Sequence, residues 1–195
     1  MCSMKRTVLS TIFLLGLVLA PSVVFANVYT EMRDTIRGVT YYSVEVSSNP
    51  LTEIQMKGGR FFDTDVMTLG FSALYFDEDA EVSEILMWLR HDGPRRWLVD
   101  DAEYKARVTA DDQVLELVPL HVSRPDKPSS NGFFTEALEF SIAPEAFKQV
   151  SQSKEIVISF NTIQGTVSKT LTALETESLE AFLSRAQLRH ERLQK

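Results

Sequence analysis

Apolar and polar residues alternate along most of this chain, from about residue 28 to about residue 173. In the clearest run every second residue from 67 to 75 is apolar or aromatic, and Thr68, Gly70 and Ser72 stand between them. Such alternation indicates a strand with one buried face. The same period returns in segments 104–108, 114–122, 137–142, 156–160 and 167–173. The pattern therefore predicts a protein made mainly of β-strands.

Turn-forming residues separate these runs. Two glycines at residues 58–59 lie between short apolar segments, which is typical of a tight hairpin. The Asp-Gly-Pro sequence at residues 92–94 and the Asp-Asp pair at residues 111–112 are interpreted as further turns between strands. Residues 123–132 are rich in Pro, Ser, Asn and Gly and are predicted to form a loop. About nine short strands joined in this way favour an antiparallel β-sandwich, immunoglobulin-like or related, with a barrel as the alternative.

Two segments have a different pattern. Pro144 is expected to open a short internal helix that carries Phe147 and Val150. Near the end of the chain the apolar residues recur at helical spacing, which predicts an amphipathic helix over residues 176–194. Acidic residues crowd the start of this helix and basic residues its end, as the helix dipole favours. We expect its apolar stripe to cover the sandwich, while a partner protein or a membrane surface remains the alternative.

The first residues of the chain have the organisation of a secretory signal peptide. Lys5 and Arg6 precede an apolar run at residues 8–20, and the Val-Phe-Ala sequence at residues 24–26 resembles a cleavage site. The apolar run is 13 residues long, whereas a membrane-spanning helix needs about 20 residues. The sequence therefore predicts cleavage after Ala26.

Processing at this point defines the predicted domain and its location. Residues 1–26 would be removed, and residues 27–195 would form a single exported β-sandwich domain, periplasmic or secreted. The only cysteine, Cys2, would be lost, so the mature protein would have neither a disulfide nor a thiolate metal site. Cys2 also precedes the apolar run, where it cannot serve for lipid attachment. We therefore expect no stable membrane insertion after the signal is removed.

The charge of the chain restricts the classes of partner that we expect it to bind. The formal net charge is −7, and it becomes −9 without the signal because that segment carries two cationic residues and no acidic one. An acidic domain repels nucleic acid, so nucleic-acid binding is disfavoured. The mature chain also has no Asn-x-Ser/Thr glycosylation sequence. Together with the absence of mature cysteines, this favours a bacterial envelope protein.

One segment concentrates residues that are common at binding sites. Around the predicted turn at residues 92–94 lie two tryptophans, three arginines and a histidine: Trp88, Arg90, His91, Arg95, Arg96 and Trp97. Tryptophan and arginine are enriched at binding hot spots, and guanidinium groups bind carboxylates or phosphates. The sequence thus nominates these six residues as a partner-binding site for an envelope protein or an anionic ligand. The alternative is a structural hairpin whose tryptophans pack in the core and whose arginines pair with nearby acids such as Asp100, Asp101 and Glu103.

Signatures of catalysis and of metal binding are weak. The acidic segment 77–81 departs from the EF-hand pattern, and the three histidines lack zinc-ligand spacing. The mature chain has no nucleophile elbow, no cysteine and no glycine-rich phosphate loop. We therefore predict a non-catalytic binding or accessory module without a metal or cofactor, whose oligomeric state the sequence does not specify. The alternative is a carboxylate-dependent periplasmic hydrolase acting on carbohydrate. A small-ligand carrier with a cavity between the sheets ranks last.

Overall fold

The computed structural model describes residues 29–48, 53–56, 65–76, 79–97, 105–123, 125–163 and 165–195. Its elements are, in chain order, β1 (Tyr29–Asp34), β2 (Val39–Ser48), β3 (Glu53–Met56), β4 (Val66–Phe76), β5 (Glu84–Gly93), β6 (Ala106–Ala110), β7 (Gln113–Leu117), β8 (Pro119–Ser123), β9 (Phe134–Ile142), α1 (Pro144–Ser151), β10 (Ile156–Thr162), β11 (Gly165–Thr170) and α2 (Ala173–Leu193).

The strands form two antiparallel sheets. The larger sheet has the order β1-β2-β4-β5-β9-β8, and the smaller sheet has the order β3-β11-β10-β6-β7. The prediction of a mainly β protein with an antiparallel sandwich, one short internal helix and a C-terminal helix is confirmed.

One face of the six-stranded sheet forms the wall of the core. Alternate residues of its central strands are buried, for example Leu69 and Phe71 on β4 and Met87 on β5. The smaller sheet packs against part of this face, where the rings of Phe140 and Phe160 lie 5.9 Å apart. The helices cover another part, where the ring of Phe147 on α1 lies 5.3 Å from that of Phe71. The core thus lies between the six-stranded sheet on one side and the smaller sheet and two helices on the other.

The C-terminal helix begins earlier than the sequence pattern predicts, at Ala173. Thr172 caps it: the Thr172 side chain accepts from the Glu175 backbone N–H at 3.3 Å, and a Glu175 carboxylate oxygen accepts from the Thr172 N–H at 2.7 Å. This reciprocal capping box satisfies donors that a helix start otherwise leaves unpaired. Glu175 also pairs with the largely buried Lys169 at 3.2 Å, which fixes the helix start to β11.

Two predicted connections are wrong. The Asp-Gly-Pro sequence is not a turn as a whole, because Asp92 and Gly93 are the last residues of β5 and pair with β9. Segment 114–122 is not one strand, because the chain passes at Val118 from β7 in the smaller sheet to β8 in the larger one. Pro119 lacks a backbone donor and begins an edge strand, where proline is tolerated.

Other predictions lie partly outside the described residues. The predicted signal peptide and the two glycines of the predicted hairpin lie outside the residues that the structure describes. The strand before those glycines, β3, pairs with β11. Among the residues that are described, no helix is both long enough and apolar enough to cross a membrane.

Candidate functional site

The register of β5 and β9 brings two ionisable side chains into the core. His91 follows Met87 and Leu89 on the inward face of β5, and it pairs directly with Glu136 on β9. Glu136 in turn precedes Leu138 on the inward face of its own strand. Because side chains alternate between the faces of a strand, both polar groups lie on the apolar side of the sheet.

His91 lies between two carboxylates. Its Nε2 is 3.1 Å from Oδ1 of Asp65, the residue before β4, and its Nδ1 is 3.3 Å from Oε2 of Glu136. The side chains of all three residues have no accessible surface. Buried charges of this kind are stable only when each is paired and hydrogen-bonded. We call Asp65, His91 and Glu136 the buried triad.

The segment after β5 closes over the triad. The backbone N–H of Trp97 donates to Oε2 of Glu136 at 2.7 Å, and the Trp97 ring lies 5.8 Å from the His91 ring. Trp97 is fully buried. Gly93 is required by the same contacts, because a Cβ atom there would overlap Asp65 Oδ1 and lie 2.6 Å from His91 Nε2. This close approach, rather than a turn, explains the glycine in the Asp-Gly-Pro sequence.

Trp88 and Arg90 occupy the opposite, outward face of β5. Trp88 is partly buried, and it pairs across the sheet with Gly70. A Cβ atom at Gly70 would collide with the six-membered ring of Trp88, lying 2.6 Å from Cε2. The missing side chain therefore lets the indole lie against the backbone of β4.

Arg90 is fixed beside this indole. Its guanidinium contacts both carboxylate oxygens of Asp92, with Nε 2.7 Å from Oδ2 and Nη2 3.2 Å from Oδ1. The Thr135 hydroxyl donates to the same Asp92 Oδ1 at 2.6 Å. The Arg90 side chain nevertheless remains 54% exposed. Its position is thus set by two strands while its surface stays accessible.

Arg96 holds a loop. Its Nη2 donates to the carbonyls of Pro125 at 2.9 Å and Asp126 at 2.7 Å, and its guanidinium carbon lies 5.0 Å from the centre of the Phe134 ring. Arg95 is partly exposed, with a buried Nε atom. The candidate acids Asp100, Asp101 and Glu103 lie outside the described residues.

Five of the six nominated residues therefore divide into separate environments, and the sixth, Arg95, is partly exposed. His91 and Trp97 belong to the interior, Trp88 and Arg90 share the outward face of β5, and Arg96 anchors the loop before β9. The carbohydrate hydrolase requires two carboxylates that face a substrate. Asp65 and Glu136 do converge, but both are buried and an imidazole ring lies between them.

Sequence reasoning missed Asp65 and Glu136. A signal for Glu136 was present, since it has the same parity as Leu138, Phe140 and Ile142. A charged residue on the apolar side of an alternating strand predicts a buried partner. Asp65 carried no such signal, because it precedes its strand. Within the described ranges no group of three or more His, Cys, Asp or Glu residues is arranged to hold a metal ion.

The comparisons with known proteins add no assignment: no family model, no curated protein and no solved structure matches this chain.

Proposed function

We propose that this chain is an exported, non-catalytic β-sandwich module of the bacterial envelope that binds a partner protein through Trp88 and Arg90. The export part of the proposal rests on the charge and apolar pattern of the first 26 residues. The binding part rests on one observation, the fixed Arg90 guanidinium beside a partly exposed tryptophan on the outward face of β5.

The energetics of association favour such a surface. Ordering a flexible side chain at an interface costs roughly 0.5–1.5 kcal/mol. The contacts of Arg90 with Asp92, and of Asp92 with Thr135, order the Arg90 side chain in the free protein. Part of the ordering cost is therefore absent when a partner binds. The indole of Trp88 is likewise positioned by its packing over Gly70. Preorganised tryptophan and arginine side chains are the usual energetic centre of a protein interface.

The chemistry of these two residues indicates which chemical groups the expected partner would present. It would place an apolar or aromatic group against Trp88 and a carboxylate or carbonyl oxygen on the accessible edge of the Arg90 guanidinium. The buried triad supports the non-catalytic part of the proposal. Both nitrogens of the His91 ring face carboxylates and the ring has no accessible surface, so it is not placed to exchange a proton with a substrate.

Affinity capture from envelope extract of the bacterium that encodes the chain tests this proposal. The wild-type protein is compared with Trp88→Ala/Arg90→Ala, and we expect the double variant to lose at least one captured protein. Arg107→Ala is the matched control, because Arg107 is also exposed and also pairs across strands, with Glu116 at 2.9 Å in the other sheet. Equal capture by all three folded proteins would contradict the proposed surface.

A further inference from the structure

A row of side chains crosses the outward face of the six-stranded sheet through Trp88. The pairing of β2, β4, β5, β9 and β8 places these residues side by side: Glu45, Gly70, Trp88, Glu139 and His121. Trp88 thus has one glutamate directly beside it on β9 and a second glutamate beyond Gly70 on β2. We call Glu45, Trp88 and Glu139 the outward row.

The missing side chain at Gly70 brings the indole close to the second glutamate. The six-membered ring of Trp88 occupies the space where a Cβ atom of Gly70 would lie. Side chains that face each other on neighbouring strands have Cβ atoms about 5 Å apart, so the ring lies beside Glu45. Glu139 is the direct strand partner of Trp88 and adjoins its other side. The indole therefore lies between two carboxylates.

Neither of these carboxylates is engaged within the part of the chain that the structure describes. Glu45 and Glu139 are partly buried, and neither makes a hydrogen bond or an ion pair with another described residue. Arg90, the cation on the same face of β5, is bound instead to Asp92, with 2.7 Å between Nε and Oδ2. Carboxylate oxygens that receive no donor keep their full capacity to accept hydrogen bonds. The outward row thus offers acceptors on both sides of an aromatic ring.

An arginine side chain matches this arrangement in charge and in shape. A guanidinium stacks on aromatic rings and carries several N–H donors, so it can contact the indole and donate to a carboxylate beside it. A metal ion does not match, because Glu45 and Glu139 are three strand spacings apart, roughly 14 Å, whereas carboxylates bind a cation at about 2–2.6 Å. We propose that the outward row binds an arginine side chain of the partner protein.

The proposal rests on the proposed binding surface and adds a part of the partner to it. The apolar stem of the arginine supplies the apolar group that packs against Trp88, while its head pairs with Glu139 or Glu45. Arg90, two residues further along β5, binds an acceptor oxygen. The partner would therefore present a guanidinium and an acceptor roughly 7 Å apart, the spacing of alternate residues on an extended strand.

Titration with a capped arginine tests the site. The indole N–H resonances of the purified protein are followed by NMR while N-acetyl-arginine amide is added, and N-acetyl-citrulline amide, its uncharged isostere, is added in a parallel titration. We expect arginine to shift the Trp88 resonance and citrulline to bind about tenfold more weakly, because a charged donor strengthens the hydrogen bonds. Trp97 is fully buried, and its resonance serves as the internal reference.

Neutralising the two carboxylates is the second part of the test. Glu45→Gln/Glu139→Gln keeps the size of both side chains and breaks no contact among the described residues, so the variant should fold. We expect its affinity for the capped arginine to fall about tenfold. The matched control, Glu145→Gln/Glu180→Gln, changes two exposed glutamates on the helices that cover the other face of the sheet. This control should bind arginine as the wild type does.

Three results would overturn the proposal: no response of the Trp88 resonance, equal affinity for arginine and citrulline, or an unchanged arginine affinity in Glu45→Gln/Glu139→Gln. Capture from envelope extract separates this failure from failure of the proposed function. A protein that Trp88→Ala/Arg90→Ala loses and Glu45→Gln/Glu139→Gln retains would support the binding surface and contradict the arginine assignment. Loss of the same protein from both variants supports both. Retention by both would contradict the proposed function, and with it the assignment of the bound arginine to a partner.

Discussion

His91 and His190 are both buried in the described part of this chain, in surroundings of different kinds. His91 lies between Asp65 and Glu136, with a carboxylate oxygen 3.1 Å from one ring nitrogen and 3.3 Å from the other. His190 lies on α2, where its ring stacks on that of Tyr75 with 4.2 Å between the centroids. The first histidine is held by polar contacts with two carboxyl groups and the second by packing.

The polar atoms of His190 confirm this difference. Its Nε2 lies 2.9 Å from the carbonyl oxygen of Asp79 and 3.0 Å from the amide nitrogen of Gln194. Its Nδ1 is buried and has no hydrogen-bond partner among the described residues. Tyr42 approaches the same ring edge-on at 6.3 Å. Equal burial of the same residue type thus serves a polar network at one site and an aromatic cluster at the other, so the two sites should respond differently to the same change.

The substitution of phenylalanine at each histidine should show the largest contrast. His91→Phe leaves two buried carboxylates without their central partner, and removal of one member of a buried ionic network costs about 3–5 kcal/mol. His190→Phe keeps a ring on Tyr75 and loses one hydrogen bond, worth about 1 kcal/mol; the amide of Gln194 still lies 3.3 Å from the Asp79 carbonyl. Urea unfolding of both variants at the same pH measures the difference. Equal losses would show that the two sites do not differ as described.

A glycine substitution should sharpen the account of the buried triad. Gly93→Ala places a methyl group against Asp65 and His91, and we expect a loss of about 3 kcal/mol because overpacking and disruption of the ion pairs act together. Gly132→Ala is the control, since its added Cβ meets nothing within 4 Å. Its positive φ of 82° still costs about 1 kcal/mol. Thermal unfolding compares the two variants, and a loss at Gly93 no larger than at Gly132 would contradict the close approach.

The tyrosines beside His190 give a pH-dependent measurement of that site. Burial raises the pKa of Tyr75 well above its ordinary value, with smaller contributions from Tyr42 and Glu191. Burial likewise raises the pKa of Tyr42. Since the folded protein retains the phenolic protons, this stability is present below about pH 10 and is lost as the pH rises further.

Ultraviolet absorbance of tyrosinate during alkaline titration follows these groups. We expect His190→Ala to bring the pKa of Tyr75 back toward its ordinary value, because the ring that covers it is gone. His190→Phe is the control and should leave the delayed ionisation in place. An unchanged titration in His190→Ala would mean that other parts of the core, and not the helix, shield Tyr75.

The smallest effect is expected for an exposed ion pair, which provides a reference for the buried triad. Hydrogen bonding from Arg107 and the nearby charge of Lys105 lower the pKa of Glu116. The small stability that this pair supplies is present above the usual carboxyl pKa and is lost as the pH falls through the lowered value. In Arg107→Ala, NMR titration of the Glu116 carboxyl should give a higher pKa, with no measurable change in unfolding temperature. A large loss of stability would place this pair among the structural ones.

The sequence predicted the strands more reliably than their connections. Alternation identified β4 and β9 because burial of one face repeats every second residue. It did not separate β7 from β8, since the apolar pattern continues through Val118 while the chain changes sheets. The residue types of the capping box, Thr172 and Glu175, are visible in the sequence. The predicted helix nevertheless began at residue 176, because the apolar stripe becomes regular only from there.

The candidate site was predicted in part. Trp88 and Arg90 were nominated from residue type, and the structure places them together on the outward face of β5. His91 and Trp97 were nominated for the same reason, but strand parity and the Glu136 contact place both in the interior. Parity along a strand is local, whereas the partners of a buried charge come from strands that are distant in sequence.

The sequence by itself determined the class of this protein: alternating strands, a short proline-started helix, a terminal helix, an acidic composition and a predicted export signal. These properties depend on residue type and on spacing over a few positions. The tertiary structure decided which of the nominated residues are accessible and which are held in the core. Asp65, His91 and Glu136 are separated by 26 and 45 residues along the chain, and only strand pairing brings them together. That pairing is cooperative, so no local pattern specifies it.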